Sequence, residues 1–152
     1  MNSVCVFSGS SPGLRSEYRK SAIELGKEIA KRQVHLVYGG ANVGLMAVVA
    51  NPVIDEGGRV TGVMPQALVE KEVAHTGLTD LRVVNSMHER KALMADLAEG
   101  FIALPGGMGT LEELCEILTW AQLGLHSKPC GLLDVCDYFR DLKRFFAQMV
   151  EG

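Results

Sequence analysis

Pro105-Gly106-Gly107-Met108-Gly109-Thr110-Leu111-Glu112-Glu113 follows the apolar run Phe101-Ile102-Ala103-Leu104 and precedes a helical pattern at Leu111, Leu114, Cys115 and Leu118. Strand, glycine turn, helix start: in this order α/β proteins build an anion site. Glycines let the backbone approach a ligand closely and reach positive φ where needed. The N–H groups of the first helical turn then face the ligand, and the helix dipole favours negative charge there. A phosphate is the natural guest. The same residues also fit a capping box, with Thr110 at the N-cap and Glu113 at N3. Capping, however, needs one glycine at most. Two carboxylates in the first turn would also repel a phosphate, unless one of them has other work, such as chemistry on an adjacent sugar.

Outward from this stretch, strands and helices alternate. Ser3-Val4-Cys5-Val6-Phe7 is a near-continuous apolar run, typical of a parallel strand buried on both faces. It ends in Ser8-Gly9-Ser10-Ser11-Pro12-Gly13, which is not G-x-G-x-x-G, so the dinucleotide fingerprint is missing from its usual place. A helix is predicted over 16–32 and a strand over 34–38. Gly39-Gly40-Ala41-Asn42-Val43-Gly44 is a second glycine turn, opening a helix over 45–56 that Pro52 should kink or end near Asn51. Strands at 60–64 and 81–84 flank a polar irregular stretch, 65–79, long enough for a functional loop with one short helix. The glycine-turn helix should run to about Gly124, followed by a strand over 128–135 and an amphipathic helix over 138–150. Such alternation gives an α/β fold, a doubly wound parallel sheet with helices on both faces and its glycine corners at the carboxyl ends of the strands.

Ser86-Met87-His88-Glu89 is another capping-box pattern, opening a helix to about Ala98 with Leu93, Met94 and Leu97 inward. Arg90 and Lys91 lie in its first turn or just beyond. Cations there oppose the helix dipole by a few tenths of a kcal/mol or more. A local rule broken without evident gain points to function; the alternative is that both side chains extend into water.

The chain has 152 residues, so one domain is expected. Its 47% hydrophobic and 22% charged content describes a soluble globular protein, and a net charge of −3 gives no sign of a nucleic-acid or membrane partner. No apolar run approaches a membrane span, and no basic leader precedes the first strand. Cys5, Cys115, Cys130 and Cys136 form no C-x-x-C pair and read as free thiols in a reducing cytoplasm. The histidines show no metal-ligand spacing: His88-Glu89 begins like H-E-x-x-H, but Ala92 stands at the last position.

Pro105 to Glu113 matches P-G-G-x-G-T-x-x-E, and with Ser86-Met87-His88-Glu89-Arg90-Lys91 the chain resembles the Lonely Guy family of cytokinin-activating phosphoribohydrolases. The likeness extends through Gly9-Ser10-Ser11, Val37-Tyr38-Gly39-Gly40, Gly44-Leu45-Met46, Lys71-Glu72-Val73-Ala74-His75 and Leu118-Thr119-Trp120-Ala121-Gln122. The resemblance implies a Rossmann-like fold, a homodimer and no cofactor. It implies cleavage of an N6-modified adenosine 5′-monophosphate to free base and ribose 5-phosphate. It assigns Arg90 and Glu113 as the catalytic pair. Substrate contacts are expected from Glu72, Met87, Lys91, Gly106, Gly107, Met108, Gly109, Thr110, Leu111, Glu112 and Thr119, and at Gly39 and Gly40. The chain departs from the family at Pro52, and it stops at Gly152 where relatives usually continue through another strand and helix, so a missing C-terminal extension is expected.

The residue types suit that reaction. N-glycosidic cleavage passes through an oxocarbenium-like state, which a carboxylate stabilises while activating water. The alternative is a non-catalytic nucleotide- or pterin-binding carrier, which needs the glycine corners but neither Glu113 nor Arg90. A third reading, pyridoxal-phosphate decarboxylation, needs a Schiff-base lysine with an acidic ring partner. Lys91 is the lysine near the motifs and has no visible partner of that kind.

Overall fold

Strand β1 (Ser3–Phe7) is buried along its whole length, the physical reason its sequence is an unbroken apolar run. Val4 and Val6 point into one core and Cys5 and Phe7 into the other. The structure, a computed structural model, describes residues 1–9, 11, 15–71 and 73–152. The other strands are β2 (His35–Tyr38), β3 (Val60–Pro65), β4 (Asp80–Val84), β5 (Phe101–Ala103) and β6 (Cys130–Leu132). They form a parallel sheet in the order β4-β3-β2-β1-β5-β6. Helices α1 (Ser16–Lys31) and α2 (Gly44–Asp55) cover one face, packing Ala22, Ile29, Leu45 and Val49 on Leu36 and Tyr38. Helices α3 (Met87–Leu97), α4 (Met108–Gln122) and α5 (Arg140–Glu151) cover the other, where Met94, Leu114 and Ile117 meet Phe7, Val37 and Phe101. This is the Rossmann-like doubly wound arrangement, and its strand order reverses between β1 and β5.

Helix α2 does not break at Asn51. It runs through to Asp55 with Pro52 in its last turn. The ring has a seat that local rules cannot see. A Cβ on Gly26 of α1 would lie 3.1 Å from Pro52 Cγ and would overlap the Val49 carbonyl oxygen. The bare backbone of Gly26 lets α1 close on the proline, so packing offsets the lost hydrogen bond. The helix ends in a Schellman motif: Gly57 N donates to Ile54 O (2.9 Å) and Gly58 N to Val53 O (2.8 Å), with Gly57 at φ 75°.

Helix α4 begins at Met108 with Gly107 as its N-cap, three residues ahead of the capping-box reading. Thr110 is therefore inside the helix, and Glu113 lies in the second turn, beyond the N3 position of a capping box. Strand β6 is shorter than the expected 128–135: Leu133 N still donates to Ala103 O (2.9 Å), but the chain leaves the sheet at Asp134 (φ −86°, ψ 71°), ahead of a 3₁₀ turn at Val135–Asp137. Between β6 and α5, Cys136 (φ 54°) and Asp137 (φ 57°) stand side by side in the left-handed region. For residues with a Cβ this costs roughly 1–2 kcal/mol each. The stretch between β3 and β4 carries a 3₁₀ turn at Gln66–Leu68 and is tied to the second glycine corner. Asn42 N donates to Val73 O (2.8 Å) and His75 N to Gly40 O (2.9 Å).

The Gly26 contact makes a prediction. Alanine is the better helix former by roughly 1 kcal/mol. Gly26→Ala should nevertheless destabilise the protein by about 1–3 kcal/mol, because the added methyl overpacks the α1–α2 contact. Urea unfolding showing equal or greater stability would contradict this packing account.

Candidate active site

A cavity of about 360 Å³ lies where the strand order reverses, at the carboxyl ends of β1 and β5. Its wall on one side is the start of α4: Gly107, Met108, Gly109 and Thr110, with Glu112 and Glu113 beyond. A Cβ built on Gly107 or Gly109 would meet nothing within 4 Å, so the backbone at this helix end stands open to a ligand. Met108 is 79% exposed. Thr110 is buried, and among the described residues its Oγ1 is a buried oxygen without a hydrogen-bond partner. An open helix N-terminus beside an unsatisfied hydroxyl fits an anion.

Helix α3 supplies the opposite wall through Met87, Arg90 and Lys91. Its N-terminus is capped by Ser86, whose Oγ accepts from Glu89 N at 3.1 Å. The Glu89 carboxylate reaches back to Asn85 N (2.8 Å), one residue earlier than a capping box requires. The two cations do not extend into water: both residues are only 5% exposed. Arg90 Nε donates to Val63 O (2.8 Å) and Nη2 to Gly39 O (2.7 Å), while Nη1 lies 3.9 Å from Met87 Sδ. The guanidinium is thus fixed against the ends of β2 and β3. Gly39 must be glycine for this, since a Cβ there would overlap Arg90 Nη2.

Lys91 Nζ donates to Glu112 Oε1 (2.6 Å) and to Glu116 Oε2, tying α3 to α4. Burial pulls its pKa down, but the hydrogen bonds it donates to the two carboxylates, with their charges, outweigh this and leave it raised. The Lys91 hydrogen bond and charge hold Glu112 below the usual carboxylate value. Glu113 lines the same cavity as Arg90. Its charge is felt in the core behind the cavity: burial first, then Glu113, push the Cys5 thiol well above its ordinary pKa.

Arg90, Glu113, Met87, Lys91, Gly107, Met108, Gly109, Thr110, Glu112 and Gly39 therefore meet at one cavity. Others expected at the site do not line it. Gly40, at φ 84°, packs on Gly62, where a Cβ would sit 2.6 Å from Gly40 Cα. Gly106 and Leu111 face a second hollow beneath the turn, toward Tyr138 and Leu142. Thr119 is exposed on α4, its Oγ1 bonded to Cys115 O at 2.7 Å. Glu72, with Ser10, Pro12 and Gly13 of the first loop, lies outside the described residues. Ser8, Gly9 and Met46 also line the cavity without having been assigned a contact. Their signal was position, the residues after β1 and at the start of α2. Among the described residues no group of three or more His, Cys, Asp or Glu is arranged to hold a metal, and no helix is long and apolar enough to cross a membrane.

Fold and cavity define a Rossmann-like α/β protein with an anion corner at the switch point and a fixed Arg beside a carboxylate. A family described as "Possible lysine decarboxylase" matches residues 46–152. A cytokinin riboside 5′-monophosphate phosphoribohydrolase of Rhodococcoides fascians is 52% identical over 99% of this chain and 77% of that protein. A probable enzyme of the same name from Oryza sativa subsp. japonica is 54% identical over 97% of this chain and 65% of that protein. The chain belongs to this family, the Lonely Guy family. Among solved structures, a Moco carrier protein of Chlamydomonas reinhardtii superposes with a TM-score of 0.76 at 23% identity, over 99% of this chain and 85% of that one, a likeness of fold.

The Lys91 pair carries a pH signature. Glu112 has a depressed pKa in the folded protein, so its contribution is present above the unfolded value of 4.5 and is lost as pH falls through the folded value. The thermal midpoint of the wild type should fall steeply below about pH 4.5, and that of Lys91→Met less steeply. Parallel profiles would show that the pair adds nothing to stability.

Proposed function

We propose that the protein hydrolyses the N-glycosidic bond of adenosine 5′-monophosphate or its N6-modified forms, giving free base and ribose 5-phosphate. The observation that carries this is the meeting of Arg90 and Glu113 in one cavity at the open start of α4, in a chain about half identical to phosphoribohydrolases. The 5′-phosphate takes the N–H groups of the first turn. Glu113 follows Met108 by five residues, roughly 7 Å along the axis, which is the direction and scale of a ribose beyond its phosphate.

The reaction breaks the bond between C1′ and the base nitrogen. The electron pair leaves with the base, and positive charge builds on C1′ and the ring oxygen. The Glu113 carboxylate stabilises that charge and accepts the proton of the water that adds to C1′. The departing base nitrogen takes a proton from solvent, and Glu113 returns the proton it accepted to solvent, so the net reaction adds one water across the bond. Arg90, with two of its nitrogens already held by backbone carbonyls, presents a pre-oriented cation to the anionic substrate.

A carrier would need neither a buried oriented Arg90 nor Glu113 in its cavity. The decarboxylase wording of the family description does not suit Lys91. A Schiff-base lysine attacks as a neutral amine, whereas two carboxylates hold Lys91 charged. Free thiols at all four cysteines suit a reducing cytoplasm.

Glu113→Gln tests the role directly, since Glu113 lies in the second turn of α4, past the N3 position of a capping box. The variant should fold, bind AMP and hydrolyse it about 10²–10³-fold more slowly. Chromatography of released base from AMP and from adenosine, with no added cofactor, completes the test. Losing the charge-assisted phosphate contacts should lower kcat/KM for adenosine roughly 100-fold. A Glu113→Gln protein keeping more than about a tenth of wild-type activity would mean the carboxylate is not catalytic, and would move the carrier reading ahead.

The assembly proposed is a homodimer. Leu123 and Leu125 at the end of α4 are each 68% exposed, apolar surface suited to a two-fold contact. Light scattering at micromolar concentration should give twice the chain mass; a monomer would refute it.

A further inference from the structure

Tyr138 sits outside the cavity and outside every motif of the family resemblance, yet it is bonded to the glycine turn. Its hydroxyl donates to the carbonyl of Gly106, 32 residues earlier in the chain. The ring is held edge-on by Tyr18 of α1 (centroids 5.8 Å apart) and by Phe139 (5.1 Å).

The backbone that delivers this side chain is the left-handed pair Cys136 and Asp137. Strain of this kind persists only where the surroundings over-determine it. Asp134 does so. Its Oδ1 accepts Phe139 N at 2.8 Å and its Oδ2 accepts Lys143 Nζ, closing the turn from both ends. Tyr138 N donates to Val135 O at 3.0 Å within it.

The bond matters because of what it does to the peptide between Gly106 and Gly107. A peptide flanked by two glycines is free to rotate as a plane. In a trans peptide the N–H is antiparallel to its C=O. Turning Gly106 O toward Tyr138 therefore turns the Gly107 N–H away from it. Gly107 lines both the substrate cavity and the hollow beneath the turn, whereas Tyr138 lines the hollow alone, so the peptide separates the two spaces. We propose that Tyr138 is a positioning residue that holds the Gly106–Gly107 peptide with its N–H directed at the 5′-phosphate of the substrate. This rests on the phosphoribohydrolase reading for the identity of the phosphate, not for the geometry.

The test is Tyr138→Phe in the full chain. Tyr138 is 44% exposed, so loss of the hydroxyl leaves the packing of the ring on Tyr18 and Phe139 intact and the thermal midpoint nearly unchanged. AMP and adenosine binding are measured by calorimetry in Glu113→Gln, which turns over slowly, with and without Tyr138→Phe. AMP affinity should weaken about 10-fold, the worth of one charge-assisted hydrogen bond, and adenosine affinity should stay the same. In the otherwise wild-type enzyme, KM for AMP should rise by a similar factor with kcat little changed. AMP affinity within about 2-fold of the parent overturns the proposal, as does an equal loss for adenosine. A phosphate-specific loss of AMP binding in a protein that never hydrolyses AMP supports Tyr138 as proposed and refutes the hydrolase reading instead.

Discussion

The guanidinium of Arg90 is what the rest of the site hangs on. A charge that is 95% out of water needs hydrogen bonds, and it takes them from Gly39 O and Val63 O, at the ends of two neighbouring strands. Each such bond from a charged donor contributes about 1.5–3 kcal/mol, and either carbonyl left without its donor would cost about as much. Arg90 is thus part of the sheet's end as well as part of the cavity wall. Gly39, Val63, the direction of α3 and the closeness of Met87 all follow from seating this one side chain. The same arrangement makes substitutions at Arg90 poor reporters of chemistry, because they disturb the frame and the reacting group together.

Much of this was legible in the chain. Strands buried on both faces give unbroken apolar runs, so β1, β2 and β3 stood out, and strand–glycine–helix corners placed the ligand at the strand ends. What was illegible depended on partners distant in sequence. Pro52 looked like a helix breaker because nothing local reveals Gly26 lying against it. Thr110 looked like an N-cap because its type and spacing fit, yet its hydroxyl is packed beneath Gly106 and the helix starts earlier, on glycine. Arg90 and Lys91 could be flagged as out of place but not located. Two of the Arg90 partners are backbone carbonyls, which carry no side-chain identity to read. Tyr138 carried no signal at all: a half-exposed tyrosine ahead of an amphipathic helix is ordinary in sequence.

The charges divide into a frame and a site. Lys91 joins Glu112 and Glu116 across the gap between α3 and α4, so that pair of helices is pinned by ions and not by apolar contact alone. Glu112 is thereby occupied, which answers the objection that two adjacent carboxylates would repel a phosphate. One is neutralised by a lysine, and the other, Glu113, is turned toward the cavity. The α3 and α4 walls are therefore held at a fixed spacing whether or not a ligand is present.

The central place of β1 has a further consequence. It pairs with β2 through Val4 and Leu36, but also with β5 through Cys5 and Phe101, 96 residues downstream. Closing so long a loop is entropically slow and is rewarded only when the strand docks. A growing chain released from the N-terminus can pack α1, α2 and the first strands together, yet the open flank of β1 stays unpaired until residues near 103 arrive. The cavity lies on that seam. It is consequently among the last features to form as the chain is made, and unpaired β1 backbone and its apolar side chains are exposed until it does.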